Sequence, residues 1–255
     1  MKLMNSLLTA TVPFLPRWMA RPFASPYVAG ETIDEALQRA ESVIDQGFSV
    51  TMDILGEHTL DVEYSHKITD DYCSLYDQII EKKLDCTISL KLTHLGLSIS
   101  GDLAVKNLNK VIASARLGNQ GLTIDMENSP YTSQTLDIYR TALKSYENIG
   151  TVLQAYLHRS MDDLKQIMSP NLRLRICKGI YLEGEKIAFQ NGNQINENYI
   201  ALCQTLLEGE GFAEIATHDA QLIHHLDRWI SENHIPMDRF EFQVLYGVPM
   251  GNTLE

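Results

Sequence analysis

The stretch "NLRLRICKGIY", Asn171 to Tyr181, carries two guanidinium groups at alternate positions. Arg173 and Arg175 share a parity with Cys177; Leu172, Leu174 and Ile176 take the other. A period of two over this length describes a β-strand with one apolar and one polar face. A fixed guanidinium can stabilise negative charge that develops on a bound group. The same test on other short runs yields more polar parities. Lys91 follows Thr87 and Ser89 in "CTISLKLTHLGL", Asp125 and Glu127 follow Thr123 in "LTIDMEN", and Gln154 closes "TVLQ". Glu241 and Gln243 alternate with Phe240 and Phe242, and Asp53 lies opposite Met52 and Ile54. With His218 of "ATHD", the inward set is Asp53, Lys91, Asp125, Gln154, Arg175, Gln243 and His218. Such groups buried unpaired cost about 1–3 kcal/mol each. They must satisfy one another or a polar ligand. A ligand site is the favoured reading because they fall late in their strands, where barrel sites lie.

The elements that position them alternate along the chain. Strand-like runs begin at Phe48, Cys86, Leu122, Thr151, Leu172, Ala213 and Phe240. Helical patterns between them include "ETIDEALQRAESVIDQG", with a capping box of Thr32 and Glu35 and a stop at Gly47. "DLAVKNLNKVIASARLG", "INENYIALCQTLLEGEG" and "DAQLIHHLDRWISEN" read alike. This repetition predicts parallel strands with crossover helices. A doubly wound sheet binding a dinucleotide would carry GxGxxG after its first strand; "LGEHTLD" stands there instead. The expected fold is therefore α/β, a distorted (β/α)8 TIM-like barrel. About seven strands are legible, with the last strand and helix missing from this chain. One domain is expected over 1–255, with an N-terminal arm and helix at 1–46 and the barrel at 47–255.

The 255 residues are 44% hydrophobic and 21% charged, enough for one sizeable core. A net charge of −12 with no basic block argues against a nucleic-acid partner. Peripheral membrane contact would rest on Arg17 and Arg21 alone. The start, "MKLMNSLLTATVPFLPRWMA", is read as packed against the domain and not as a secretory signal. Cys73, Cys86, Cys177 and Cys203 show no metal or disulfide spacing, so reduced thiols in the cytoplasm are expected, with no metal. His224 and His225 sit mid-helix and read as surface or packing residues. Lys91 or Lys178 could serve a flavin-free barrel lyase as a Schiff-base amine. Gly179 marks a close backbone approach or a positive φ.

Taken together, "RPFASPYVAGET", "LDCTISLKLTHLGL", "LTIDMEN", "VLQAY", "RLRICKGIYLE", "IATHD" and "FEFQVLYGV" resemble the flavin-dependent proline dehydrogenase family, in the family's order. The resemblance implies a distorted (β/α)8 barrel with noncovalent FAD at the carboxyl ends of the strands. It implies oxidation of L-proline to Δ1-pyrroline-5-carboxylate, the first step of proline catabolism, with electrons passed to quinone. Lys91, Asp125 and Arg175 then take the catalytic positions. Lys91, Asp125, Leu245 and Tyr246 would border proline. Met126, Gln154, Arg175, Cys177, Gly179, Tyr181, Thr217, His218, Gln243 and Leu245 would contact FAD.

Three departures qualify the resemblance. Ile180 replaces a small residue and is expected to crowd the flavin. "FQNGNQINENY" lacks a lysine that many relatives carry, which weakens an expected phosphate contact. Relatives end in a helix whose paired arginines clamp the proline carboxylate, and the chain stops before it. Lys91 alone would then face the carboxylate, with weakened affinity or an inactive flavin-binding remnant as the consequence. Strand edges left open predict poor stability or a homo-oligomer.

Overall fold

The computed structural model describes residues 27–251. The expectations for the N-terminal arm, including Arg17 and Arg21, therefore lie outside the described residues. Helix α1 (Ile33–Ile44) leads into β1 (Val50–Met52), α2 (Val62–Lys82), β2 (Cys86–Leu90), α3 (Gly101–Leu117), β3 (Leu122–Ile124) and α4 (Ser129–Leu143). Then follow β4 (Ile149–Gln154), α5 (Ser160–Ile167), β5 (Arg173–Cys177), α6 (Gly192–Glu208), β6 (Phe212–Ala216), α7 (Ala220–Glu232) and β7 (Phe240–Gln243). The cap of α1 forms as expected: the Glu35 amide donates to Thr32 Oγ1 at 3.2 Å. The reciprocal bond is displaced by one residue, since Glu35 Oε2 accepts from the Glu31 amide at 2.8 Å.

The sheet order is β1-β2-β3-β4-β5-β6-β7, and every pairing is parallel. A doubly wound sheet would reverse its strand order at a switch point. A strictly sequential order with crossover helices belongs to a barrel. The sheet is also strongly curled. Tyr181, just beyond β5, donates from its hydroxyl to Glu57 Oε2, just beyond β1, at 2.7 Å. Four strand spacings in a flat sheet would hold them about 19 Å apart. Among the described residues β7 does not pair with β1. The two ends still approach, because the Arg39 guanidinium of α1 lies 5.9 Å from the Tyr246 ring centroid beyond β7. The chain thus forms seven strands of a (β/α)8-type barrel.

Register confirms the two-face reading. Val152 pairs with Arg175 and Gln154 with Cys177; Arg175 pairs with Glu214, and Glu214 with Glu241. Partners in a parallel ladder share a face, so these side chains point into the lumen. The opposite face, with Ile88, Leu90, Ile124, Leu153, Leu174, Ile176 and Ile215, is buried in the main apolar core.

Candidate functional site

The inward charges meet in one continuous cluster. Lys91 Nζ, beyond the end of β2, donates to Asp53 Oδ2 at 2.8 Å and to Asp125 Oδ2 at 3.1 Å. Asp125 bridges onward, accepting from Arg175 Nη1 at Oδ1, 2.8 Å away. Arg175 Nε donates to Gln243 Oε1 at 2.7 Å and pairs with Glu214 Oε2 at 3.4 Å. Gln243 Nε2 donates to Glu214 Oε2 at 3.0 Å and Glu241 Oε1 at 2.6 Å. At the other end, Tyr72 donates its hydroxyl to Asp53 Oδ1 at 3.0 Å. Gln154 joins from the side: its Nε2 donates to the Met126 carbonyl at 3.3 Å. The buried Gln154 Oε1 has no partner. Of the expected inward set, six residues come together here. The seventh, His218, accepts the Leu245 amide at Nε2, 2.9 Å away, on the rim beyond β6 and β7.

Burial alone would lower the Lys91 ammonium, but Asp125 and Asp53 outweigh it and hold the group well above the usual lysine range. For Asp53, burial outweighs Lys91 and raises the carboxyl. Burial would likewise lower Arg175; Asp125 and Glu214 reverse the sign. Neither lysine offered for Schiff-base chemistry is a free amine. Lys91 is doubly ion-paired, and Lys178 Nζ lies 2.7 Å from Asp219 Oδ2.

The remaining expected residues divide into lumen and rim. Cys177 points into the lumen half-buried, and burial pushes its thiol up to about 11, so it packs as a small apolar group. Thr217 is buried at the end of β6, where its Oγ1 accepts the Asp219 amide at 3.1 Å. Leu245 and Tyr246 are exposed on the rim. Ile180, expected to crowd the cofactor, is 85% exposed. The parity of β5 is not carried past Gly179. That glycine has φ +109°, and a Cβ there would sit 2.2 Å from Cδ1 of the Tyr156 ring. Both expected reasons for a glycine hold. Gly179→Ala should cost about 2–4 kcal/mol through strain and overlap combined. Urea unfolding should show the midpoint falling at unchanged m-value; an unmoved midpoint would refute it.

Two groupings had no counterpart in the sequence expectations. Glu214, only 3% exposed, lies at the centre of the Arg173–Arg175 side of the cluster. The alternation of "FAEIA" carried the signal, since Ala213 and Ile215 flank it on the opposite parity. Glu57, His58 and Glu127 each bring one donor atom within 4.8 Å of the others. Glu127 is already committed, accepting from the Thr93 amide at 3.0 Å and from the Thr93 hydroxyl. Beside it His94 is buried with both ring nitrogens unpartnered. Burial, and then the Lys91 charge, lower its pKa, so folding favours the neutral ring. A depressed value means its stabilisation is complete above the unfolded pKa of about 6.5 and is lost as pH falls below that. Wild type should therefore lose stability relative to His94→Leu between about pH 7.5 and 5.5. A constant difference in thermal midpoint across that window would contradict this.

A (β/α)8-type barrel with an ion-paired lysine and arginine bridged by one aspartate defines the class of site. Comparisons with known proteins agree. Residues 36–255 match the family profile described as proline dehydrogenase. Proline dehydrogenase 2 of Bacillus subtilis strain 168 is 36% identical, over 91% of this chain and 76% of its own length. The proline dehydrogenase of Deinococcus radiodurans is 30% identical, over 88% of this chain and 74% of its own. Among solved structures, proline utilization A (PutA) from Bdellovibrio bacteriovorus, inactivated by N-propargylglycine, superposes with a TM-score of 0.82 at 22% identity. That match covers 91% of this chain and 29% of the other, and bears on the fold. The chain belongs to the proline dehydrogenase family.

Proposed function

We propose that the chain oxidises L-proline to Δ1-pyrroline-5-carboxylate, with noncovalently held FAD as the hydride acceptor and a quinone as the eventual electron sink. The observation that carries this reading is Asp125, which joins Lys91 at 3.1 Å and Arg175 at 2.8 Å in one rigid unit. An ammonium has three donors, and Lys91 gives two to Asp53 and Asp125. The third is available to the proline carboxylate. Asp125 holds Lys91 and Arg175 at a fixed separation, which orients substrate against cofactor.

The residues present fit FAD. Gln154 Oε1 is an orphaned buried acceptor on the lumen face, which an N–H of the flavin ring would satisfy. Arg175 has Nη2 without a hydrogen-bond partner among the described residues, a fixed positive charge for developing negative charge. Cys177 and Gly179 would border the ring, with Thr217 and His218 towards the adenosine. Gln243 holds Arg175 through one lone pair of Oε1 and would offer the second to the ring or its ribityl chain. Bound FAD supplies the two-electron oxidant. With FAD bound, proline whose amine has lost its ammonium proton to solvent would release hydride from the ring carbon next to nitrogen as the lone pair closes the C=N bond. The remaining N–H proton would then pass to solvent to leave the imine. The same reading places the chain in the cytoplasm with peripheral contact at the inner face of the membrane, and makes the open β1 and β7 edges a route to a homo-oligomer.

The test is the visible absorption of the purified protein before and after FAD is added. Flavin bands that bleach with L-proline support the proposal, and reoxidation by a soluble quinone supports its last step. Bands that L-proline leaves intact indicate a flavin-binding remnant. No flavin uptake sinks the reading; borohydride trapping of a lysine adduct would then favour a lyase.

A further inference from the structure

We infer that Glu214 is a positioning residue for Arg175, acting through the side-chain amide of Gln243; this rests on the flavin reading above. An amide has a donor end and an acceptor end of nearly equal size, so packing alone does not orient it. At Gln243 two carboxylates settle the question. Nε2 lies 3.0 Å from Glu214 Oε2 and 2.6 Å from Glu241 Oε1. Ionised carboxylates only accept, so the NH2 end must face them, and Oε1 must face Arg175 Nε at 2.7 Å. The reversed amide would set an oxygen against two carboxylates and an NH2 against a guanidinium.

The two carboxylates are not equivalent. Glu241 is more than a third exposed, with its side chain at the open edge of the sheet. Glu214 is buried, and its second oxygen accepts from Arg173 Nε at 2.9 Å. Arg173 is itself anchored, its guanidinium 4.1 Å from the Phe212 ring centroid. The order therefore propagates from Arg173 through Glu214 to Arg175 by two routes, the amide of Gln243 and a direct ion pair at 3.4 Å, while Asp125 fixes the other arm. Two bonds in different directions, at Nε and Nη1, fix the guanidinium plane. Glu214 has no route to a ligand of its own, since every contact it makes is to these side chains.

The experiment compares four proteins: wild type, Glu214→Gln, Gln243→Met and the double variant. FAD dissociation constants are measured by titration, with the visible spectrum of the bound flavin as a second readout. Glu214→Gln should weaken FAD about tenfold, because Gln243 is then held only by the more exposed Glu241 and Arg175 loses its ion pair with Glu214. It should also shift the flavin band. In the Gln243→Met background the same substitution should have a smaller effect, about threefold, from loss of the direct ion pair alone, with a smaller shift of the band. Equal effects in both backgrounds would show that Glu214 acts without Gln243, by its ion pair with Arg175 or through Arg173, and would overturn the inference, as would no effect in either. If Glu214→Gln does not fold, Glu214→Asp replaces it. That variant keeps the charge and withdraws the carboxylate by about 1.5 Å, one carbon–carbon bond, with the same expected and overturning results. A wild type that takes up no FAD overturns the flavin reading and this inference together. A wild type that binds FAD while Glu214→Gln behaves like it overturns the inference alone.

Discussion

Arg175→Met should destabilise the chain by about 3–5 kcal/mol and abolish flavin binding, the largest effect expected of any single substitution here. The guanidinium joins two carboxylates that would each be left with a single cation. Asp125 would keep only Lys91, and Glu214 only Arg173. Gln243 Oε1 would lose its one donor. A methionine fills most of the volume, so the loss is electrostatic and hydrogen-bonding rather than a cavity. The penalty comes mainly from carboxylates left behind in a lumen that water reaches poorly, since removing one partner of a buried pair costs far more than the pair contributed. Arg175→Lys separates the two consequences. A lysine restores a charge near Asp125 and so most of the stability. It cannot reproduce the fork that meets Gln243 and Asp125 at once, so flavin affinity should stay low. Urea unfolding read beside flavin absorbance checks both, and an Arg175→Met protein as stable as wild type would refute the account.

Why so much of this was legible follows from period-two alternation, which is a local property. Thr87, Ser89 and Lys91 reveal a polar lumen face without knowledge of what lies across from them. The position of Gly179 was legible for the same reason: a strand that must end beside a packed ring needs a residue without Cβ. The partners were not legible. Lys91 and Asp53 are 38 residues apart in sequence, and only the pairing of β1 with β2 makes them neighbours. Three helices, α2, α4 and α5, were not picked out individually. In α2 the buried stripe of Ile68, Tyr72, Leu75, Tyr76 and Ile79 is interleaved with Asp70, Asp71, Asp77 and Lys82, and several of its buried positions are serine or threonine. In α4, buried Thr132 and Thr135 dilute the apolar period in the same way. Ile180 is a different case. Its neighbours in sequence line the lumen, but φ +109° at Gly179 redirects the chain, and parity cannot be carried across a positive-φ residue.

Lys91→Met should cost about 3 kcal/mol near pH 8, and the cost should shrink as the solution is acidified. The lower end of the range for a broken buried pair applies, because Lys91, Asp53 and Asp125 each keep roughly a fifth of their side chains exposed. The sign follows from linkage. The Lys91 pKa is raised on folding, so its stabilisation is fully present below the unfolded value of about 10.5 and is lost only as pH rises through the higher folded value. At neutral pH the wild type therefore has the whole benefit. In the variant Asp53 is left without a cation and faces Asp125, which keeps Arg175. Asp53, raised already by burial, rises further, so the folded variant takes up a proton that its unfolded chain does not. Its stability must then increase as pH falls from about 8 towards 5, and the gap to wild type narrows. The same ammonium is the proposed anchor of the proline carboxylate, so the variant should keep its flavin spectrum yet lose bleaching by L-proline at every pH. A stability gap independent of pH would mean that Asp53 and Asp125 do not share this lysine, and with it would go the rigid unit that sets substrate against cofactor.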